Sequence, residues 1–482
     1  MSQPRQPRRE QARSRTAVVH LGLGAFFRAH GAPLLQVVES VAGKGAGDWG
    51  VVGVSLRSSA VLDVLAAQDF VYTTVAMAPA GMEAPQKIEI INDVLVAPDD
   101  PQAVLAAMAD PAVRLVSLTV TEKGYCRGAG DQPLDLDDPD VRRDLGLDGA
   151  ASGSGPRTAP RTAPRTAPGF IVQALARRRD QGIAPFTLLS LDNLPGNGRV
   201  LRAAVLAMAQ RLDPGLADWI AREVRFPCSM VDRIVPATTP ELIGQVEAAT
   251  GMRDEAVVVH EPFFQWVLED DLGEGPRPAF EDAGVQLVAE VEPFERMKLR
   301  MLNGTHSALA YMGTRAGHET VAEAMADPAV SDRIEALWSR ELAPSLIAPP
   351  GTDLGAYARA LKARYQNPNI RHRLDQIAMD GSQKLPPRIL DPLFENLAAG
   401  RPIEGLLDVV AAWMQFVERA AAQQRPLADP LADSLLAAAR DAGGKADVLV
   451  AGLLAIEPIF AAYRVDDISA ALIERLTQDP PN

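Results

Sequence analysis

The sequence predicts an α/β domain followed by an all-helical one. Three observations carry this reading: a short apolar strand that runs through a glycine turn into a helix near the start, further strand candidates alternating with helices as far as about residue 285, and Ala/Leu-periodic helices alone from there onward. A chain of 482 residues leaves room for two or three domains, and 47% hydrophobic residues suffice for their cores.

Residues 1–16 are basic and rich in Pro and Gln with nothing to bury, which predicts a disordered tail. Ala17-Val18-Val19-His20-Leu21 is the first strand. It ends in Gly22-Leu23-Gly24-Ala25-Phe26-Phe27-Arg28-Ala29-His30, and the pattern then turns helical through Leu34, Leu35, Val37 and Val38. Strand, glycine turn and helix in that order present backbone N–H groups to a pyrophosphate, as a Rossmann-like unit does. Gly22, Gly24, Phe26 and Arg28 are the cofactor-binding candidates of this turn; Phe27 stands where a third glycine is usual.

Asp48 to Leu56 reads as the second strand, followed by Arg57-Ser58-Ser59. An acid there would suit the ribose 2′-OH of NAD, and Arg with Ser a 2′-phosphate; no acid stands at 57–59 and Asp63 lies further on, so the choice stays open between NAD, the cofactor expected, and NADP. Arg57 is either a cofactor contact or an exposed strand end. Strands are predicted at Phe70–Val75, Lys87–Ile91 and Leu115–Val120, with a helix at Pro101–Ala109. Glu122 and Lys123 follow the last strand at its carboxyl end, where they either touch cofactor or substrate or form a loop ion pair.

Periodicity is lost from Asp135 to Gly169, where RTAP occurs three times between 156 and 168; this predicts an extended surface loop over 151–169. A helix at Phe170–Arg179 and a strand at Phe186–Ser190 resume the pattern. After that strand comes Asn193, an uncharged donor suited to an alkoxide or carbonyl oxygen. Asp232 with Arg233, and the aromatic run at 261–270, fit a sugar-like ligand; the Asp–Arg pair is alternatively structural. Residues 17–285 therefore form an NAD(P)-binding domain and 286–482 a helical substrate and catalytic domain.

Within the helical part, Lys298, Asn303 and His306 share one helix. At about 100° per residue they fall near 0°, about 140° and about 80°, on one arc. Leu299, Met301, Leu302, Ala308, Leu309 and Tyr311 make the surroundings apolar, so an ammonium there loses hydration and becomes a candidate general base. Arg371, His372, Arg373, Lys384 and Arg388 form a second, basic cluster, either substrate-binding or a solvated helix face.

A net charge of −14 argues against nucleic acid as a partner, and two cysteines without paired spacing point to a reducing, cytoplasmic setting. No apolar run reaches the roughly 18 residues of a membrane span. Six histidines without HxxxH or Cys/His spacing predict no metal site. Lys298 would then move the proton, with Asn193 and Asn303 donating to the reacting oxygen and His306 hydrogen-bonding it.

The turn at 22–30, TEKGYC at 121–126, SLDNLPGNG at 190–198, VDRIVP at 231–236, EPFFQWVLED at 261–270 and KLRMLNGTHS at 298–307 together resemble the polyol-specific long-chain dehydrogenase family, over about residues 17 to 480. That family contains mannitol 2-dehydrogenase and fructuronate reductase (D-mannonate oxidoreductase). The resemblance implies a metal-independent, NAD(P)-dependent oxidoreductase, monomeric, with Lys298 as acid/base, Asn193, Asn303 and His306 at the reacting oxygen, and Asp232 and Lys384 near substrate hydroxyls. RHRLDQIAMDGSQKLPPR at 371–388 resembles the fructuronate reductase branch, with Gln376 where the mannitol branch is basic. A hexuronate carboxylate would pair with Arg371, Arg373 or Lys384; the alternatives are a mannitol 2-dehydrogenase and a non-catalytic sugar or nucleotide sensor.

Overall fold

The computed structural model describes residues 5–42, 48–128, 130, 132–147 and 163–478. The chain divides between Glu292 and Pro293 into two compact units, a few residues beyond the predicted boundary at 285.

The first unit holds twelve short strands among its described residues: β1 (Thr16–Leu21), β2 (Gly50–Ser55), β3 (Tyr72–Ala78), β4 (Gly81–Met82), β5 (Gln86–Ile88), β6 (Ile91–Val96), β7 (Leu115–Leu118), β8 (Thr187–Ser190), β9 (Ser229–Asp232), β10 (Val258–His260), β11 (Gln265–Glu269) and β12 (Gln286–Val288). Five make the central sheet in the order β6-β2-β1-β7-β8, every pairing parallel. Helices on both faces demand strands that are apolar on both sides, and β1 and β7 are almost wholly buried. Along β1 the faces alternate: Val19 and Leu21 join one core with Val54, Val104 and Val116, while Val18 joins the other with Phe27, Leu35 and Trp266. Two small sheets flank this one, β10-β3-β4 with β5 also on β3, and β12-β11-β9.

Local signals explain several boundaries. The helix Pro101–Ala109 lies where predicted, because Asp100 accepts from the Ala103 N–H at 2.9 Å and Pro101 takes the first turn. The predicted strand Lys87–Ile91 is instead two, β5 antiparallel to β3 and β6 parallel to β2. A strand, β12, also follows residue 285. Of the RTAP stretch, 151–162 lies outside the described residues, and the following helix begins at Ala167, earlier than expected. There Thr166 caps the Gly169 N–H at 3.0 Å, and Asp144 accepts from Arg165 N, Thr166 N and Thr166 Oγ1.

The expectation of a disordered tail is corrected for its described part. Arg9 donates to the carbonyls of Glu89, Ile91 (2.6 Å) and Asp69 (3.3 Å), Glu89 accepts from the backbone of Glu10 and Gln11, and Arg13 pairs with Asp69 at 2.6 Å. Without an apolar face, this segment is held by carbonyls and carboxylates that a hydrophobicity pattern does not register.

The second unit is helical. Its longest helix, Glu404–Ala422, buries Leu406, Leu407, Val409, Val410, Trp413, Met414 and Val417, the i, i+3, i+4, i+7 spacing of a helix packed on its neighbours. No helix among the described residues is long and apolar enough to cross a membrane.

Candidate active site

In the first unit the site is built at the carboxyl ends of β1, β2, β7 and β8, the edge where parallel α/β sheets bind ligands. Gly22 has φ +89°, and a Cβ there would lie 2.1 Å from the Thr119 carbonyl oxygen, so only glycine fits. Its N–H donates to Val54 O at 2.8 Å and its carbonyl accepts from Gly24 N at 2.6 Å. Gly24 begins the short helix Ala25–Ala29 and is exposed; a Cβ on it would meet nothing nearer than 3.8 Å. The glycine turn thus leads directly into the first turn of that helix, an order that suits a pyrophosphate.

Phe27, in the third-glycine position, is buried and stacks on His20 at 3.5 Å between ring centroids. Gly31 makes room for it, since a Cβ there would sit 2.5 Å from the Phe27 ring. Close helix–strand packing is thus achieved by an aromatic on an imidazole, with the glycine displaced four residues along. Phe26 is half-buried on His30, at 5.0 Å between rings.

Arg28, read as a cofactor contact, is a correction: its guanidinium donates to Ala256 O at 2.7 Å and lies over the Tyr72 ring, whose hydroxyl donates back to Arg28 O. Burial lowers its pKa, and its role is to pin the glycine-turn helix to the unit. Arg57 is exposed just past β2, and Asp63 is tied to Ser59 Oγ at 3.0 Å. Glu122 and Lys123 are exposed on a 3₁₀ turn after β7.

Asn193 is exposed after β8, on a turn whose rigidity comes from two neighbours that the sequence reading passed over. Asp192 accepts from Val120 N, Thr121 N and the Tyr125 hydroxyl, while Asn197 Nδ2 donates to Ser190 O, Asp192 O and Ser229 O and its Oδ1 accepts from Ser229 N. Four buried partners for one amide mark a structural knot beneath Asn193. Asp232 is buried at the end of β9; the adjacent Arg233 donates to Phe263 O and Ala29 O and stacks on Phe264, so its recorded hydrogen bonds go to backbone carbonyls.

In the second unit, Lys298 opens a π-helical segment, Lys298–Gly304, between helices Glu292–Met297 and Thr305–Arg315. The even α-helical phasing assumed from the sequence is corrected here. Hydrogen bonds run to the fifth residue in a π-helix, so Lys298 and Asn303, five apart, stand one above the other. The wider turn is stabilised by side chains that reach its carbonyls: Trp338 Nε1 donates to Met301 O at 2.8 Å, Thr305 Oγ1 to the same oxygen at 2.6 Å, and the Tyr365 hydroxyl to Leu302 O at 2.9 Å. A second π segment, Pro386–Leu390, packs against it. A Cβ on Gly304 would come within 3.0 Å of Arg388 O, and Arg388 Nη1 donates to Asn303 O and Ser307 Oγ.

Lys298 is 8% exposed and His306 7%. Around His306 stand His372, its ring 4.9 Å away edge to face, and Tyr365 at 4.8 Å. Burial, and then the charges of His372, Arg364, Arg388 and Lys298, hold His306 well below the usual histidine range. Burial, with Arg364 and Lys384 beside it, brings His372 to about 4. Both imidazoles are neutral. His306 Nε2 and His372 Nδ1 are buried without a hydrogen-bond partner among the described residues, and the Asn303 side-chain amide has none recorded either. Arg364 and Tyr365 were not anticipated from the sequence, being separated from Lys298 by more than 60 residues.

The basic cluster divides. A three-residue turn, with His372 N–H on Ile370 O at 2.8 Å, leads into Arg373, which is bridged to Thr320, and His372 O accepts from Val321 N. His372 turns in. Arg371 and Arg373 are exposed, and Arg373 is paired with Asp375 at 2.5 Å. Lys384 stays half-buried next to His372. Among the described residues, no group of three or more His, Cys, Asp or Glu is arranged to hold a metal ion.

Residues 16–282 match the mannitol dehydrogenase Rossmann domain, and 290–479 the mannitol dehydrogenase C-terminal domain. The D-mannonate oxidoreductase of Escherichia coli is 43% identical over 423 residues, covering 86% of this chain and 82% of that protein. The mannitol 2-dehydrogenase of Aspergillus terreus is 38% identical over 434 residues, 89% of this chain and 83% of that one. The structure of Pseudomonas fluorescens mannitol 2-dehydrogenase in a ternary complex with NAD and D-mannitol superposes with a TM-score of 0.80 at 35% identity, over 98% of this chain and 92% of that one. With its two units matched in order by both family models, the chain belongs to the mannitol dehydrogenase family of oxidoreductases.

Proposed function

We propose that this protein is an NAD-dependent, metal-independent oxidoreductase that interconverts a secondary alcohol and a ketone on a hexuronate, acting as a fructuronate reductase (D-mannonate oxidoreductase). The observation that carries the choice of a charged substrate is the pair of guanidiniums, Arg364 and Arg388, whose charges act on His306, with Lys384 beside His372. Such a surround gains from a carboxylate, through charge-assisted hydrogen bonds, and gains nothing comparable from an uncharged hexitol. The E. coli D-mannonate oxidoreductase, at 43% identity against 38% for the fungal mannitol dehydrogenase, supports the same choice.

The glycine cradle fits a dinucleotide, and the mannitol dehydrogenase of known structure is a complex with NAD. A nicotinamide bound there supplies the hydride chemistry. In oxidation Lys298 takes the proton of the substrate hydroxyl, and in reduction it returns the proton to the carbonyl oxygen. Its 8% exposure shelters that transfer from bulk water. Asn193 and Asn303 donate to the oxygen as negative charge develops on it, and neutral His306 offers Nε2 to the same oxygen. Asp232 orients a substrate hydroxyl, and Lys384 with the bases around His372 takes the carboxylate.

The test is a direct comparison of D-fructuronate and D-fructose reduction with NADH and with NADPH. A kcat/KM for D-fructuronate at least about a hundredfold above that for D-fructose, roughly 2.7 kcal/mol of discrimination, is the expected result. Preference for D-fructose would replace the hexuronate reading with that of a mannitol 2-dehydrogenase. Retention of activity after exhaustive chelation is expected from a proton transfer that uses Lys298.

A further inference from the structure

Beneath the glycine turn lies a chain of four polar groups that the chemistry above does not use. Ser117 Oγ is 2.8 Å from His20 Nδ1, His20 Nε2 is 3.0 Å from Thr119 Oγ1, and Thr119 Oγ1 donates to Gly22 O at 2.7 Å. The direction of every bond follows from the last. Because the Thr119 hydroxyl gives its hydrogen to the carbonyl, it must accept from His20, so the ring carries its hydrogen on Nε2 and accepts from Ser117 on Nδ1. His20 is fully buried between β2 and β7, stacked on Phe27, and burial brings its pKa to about 3, so the ring stays neutral and the chain keeps its polarity near neutral pH.

The Gly22 carbonyl is thus held from two sides, by the Thr119 hydroxyl and by Gly24 N. The Thr119 backbone closes the same position, with its N–H on Leu21 O at 2.9 Å and its carbonyl filling the space of a Gly22 Cβ. A peptide with φ +89° pivots unless its carbonyl is fixed, and that carbonyl sets the direction of the Gly24 N–H and of the helix that starts there.

We propose that Thr119, oriented by His20 and Ser117, is a positioning residue for the cofactor: the relay fixes the Gly22 peptide so that the glycine turn is pre-formed for a dinucleotide pyrophosphate. Pre-formation is read in affinity, because a turn already in its bound shape has no ordering cost to meet on binding. The proposal rests on the reading of this turn as a dinucleotide site, which titration of the wild-type protein with NADH tests separately; a wild type that fails to bind overturns that reading first.

The experiment measures NADH Kd, kcat at saturating NADH and melting temperature for Thr119→Val, Thr119→Ser and Ser117→Ala. Thr119→Val keeps the shape and removes the donor. Its NADH Kd is expected to rise about tenfold, the equivalent of one hydrogen bond of roughly 1.4 kcal/mol, with kcat within about twofold of wild type. Thr119→Ser restores the affinity. Ser117→Ala, which leaves His20 Nδ1 without its donor, raises Kd by a smaller factor of about three. Wild-type affinity in a folded Thr119→Val protein, or a loss confined to melting temperature, overturns the proposal; unchanged affinity in Ser117→Ala overturns the part played by His20. Should Thr119→Val not fold, the serine and alanine variants decide.

Discussion

The imidazoles of His306 and His372 meet edge to face, 4.9 Å between centroids, and both are held neutral inside a ring of bases. Neither residue is near the other in sequence. Their meeting joins the helix that follows the proposed base to the segment before Leu374, and it brings together two buried ring nitrogens without a hydrogen-bond partner among the described residues.

Neutral buried histidines have a consequence for acid stability. His20 (about 3), His260 (about 4), His372 (about 4) and His306 (well below its usual value) all have folded pKa values under the roughly 6.5 of an unfolded chain. The unfolded state therefore takes up the protons first as pH falls. Stability from these groups is complete above about pH 6.5 and is lost as pH drops from there towards the folded values, by at most about 1.4 kcal/mol per pH unit for each histidine. Thermal melts from pH 7.5 to 4.5 are expected to show a melting temperature that is level above 6.5 and falls steeply below it; a level curve down to pH 5 would count against the buried, neutral assignment.

The carboxylate reading turns on the bases near His372. Replacing Lys384 with methionine keeps the stem and removes the charge. KM for a hexuronate is expected to rise at least about tenfold, while any activity on an uncharged hexitol keeps its KM within about twofold, because only the charged substrate loses an ion pair of roughly 1.5 to 3 kcal/mol. Equal effects on the two substrates would assign Lys384 to the hydroxyls instead.

The π-helical segment depends on side chains for its carbonyls, and Trp338 is the one whose removal is cleanest. Trp338→Phe leaves Met301 O to Thr305 alone and is expected to lower unfolding free energy by about 1 to 3 kcal/mol. It is also expected to reduce kcat about tenfold, since the register of Lys298 with Asn303 loosens. Urea denaturation with steady-state rates checks both; full activity in a destabilised protein would separate the π turn from catalysis.

Arg9 gives a similar test for the amino-terminal segment. Its guanidinium serves the backbone carbonyls of Glu89, Asp69 and Ile91, and Arg9→Ala is expected to lower the melting temperature by about 2 to 8 °C with kcat unchanged. An unaltered melting temperature would return this segment to the status of a solvated tail.

These cases show what a single sequence carries. Strand, glycine turn and helix were legible because Gly22 has a backbone reason to be glycine, and Pro101–Ala109 because its cap and proline are local. The burial of Lys298 and His306 was legible from the apolar residues around them. What escaped was set by distance along the chain or by the absence of a periodic signal. The π turn exists because Trp338 and Tyr365 reach carbonyls 37 and 63 residues away. Arg28 looked like a cofactor contact until Ala256 and Tyr72 gave it an intramolecular place. Arg371 and Arg373 read alike in a basic run, and only the structure shows that both are exposed and that Arg373 has Asp375 as its partner. The third glycine was absent because Phe27 on His20 does its packing.

The most direct test of the account is the Lys298→Ala protein, measured for single-turnover reduction of D-fructuronate and for NADH affinity. Loss of the group that moves the proton is expected to cut the rate by about 10³-fold or more while the NADH Kd stays within about twofold of wild type. A Lys298→Ala protein that still turns over near the wild-type rate would contradict the assignment of Lys298 as the acid/base.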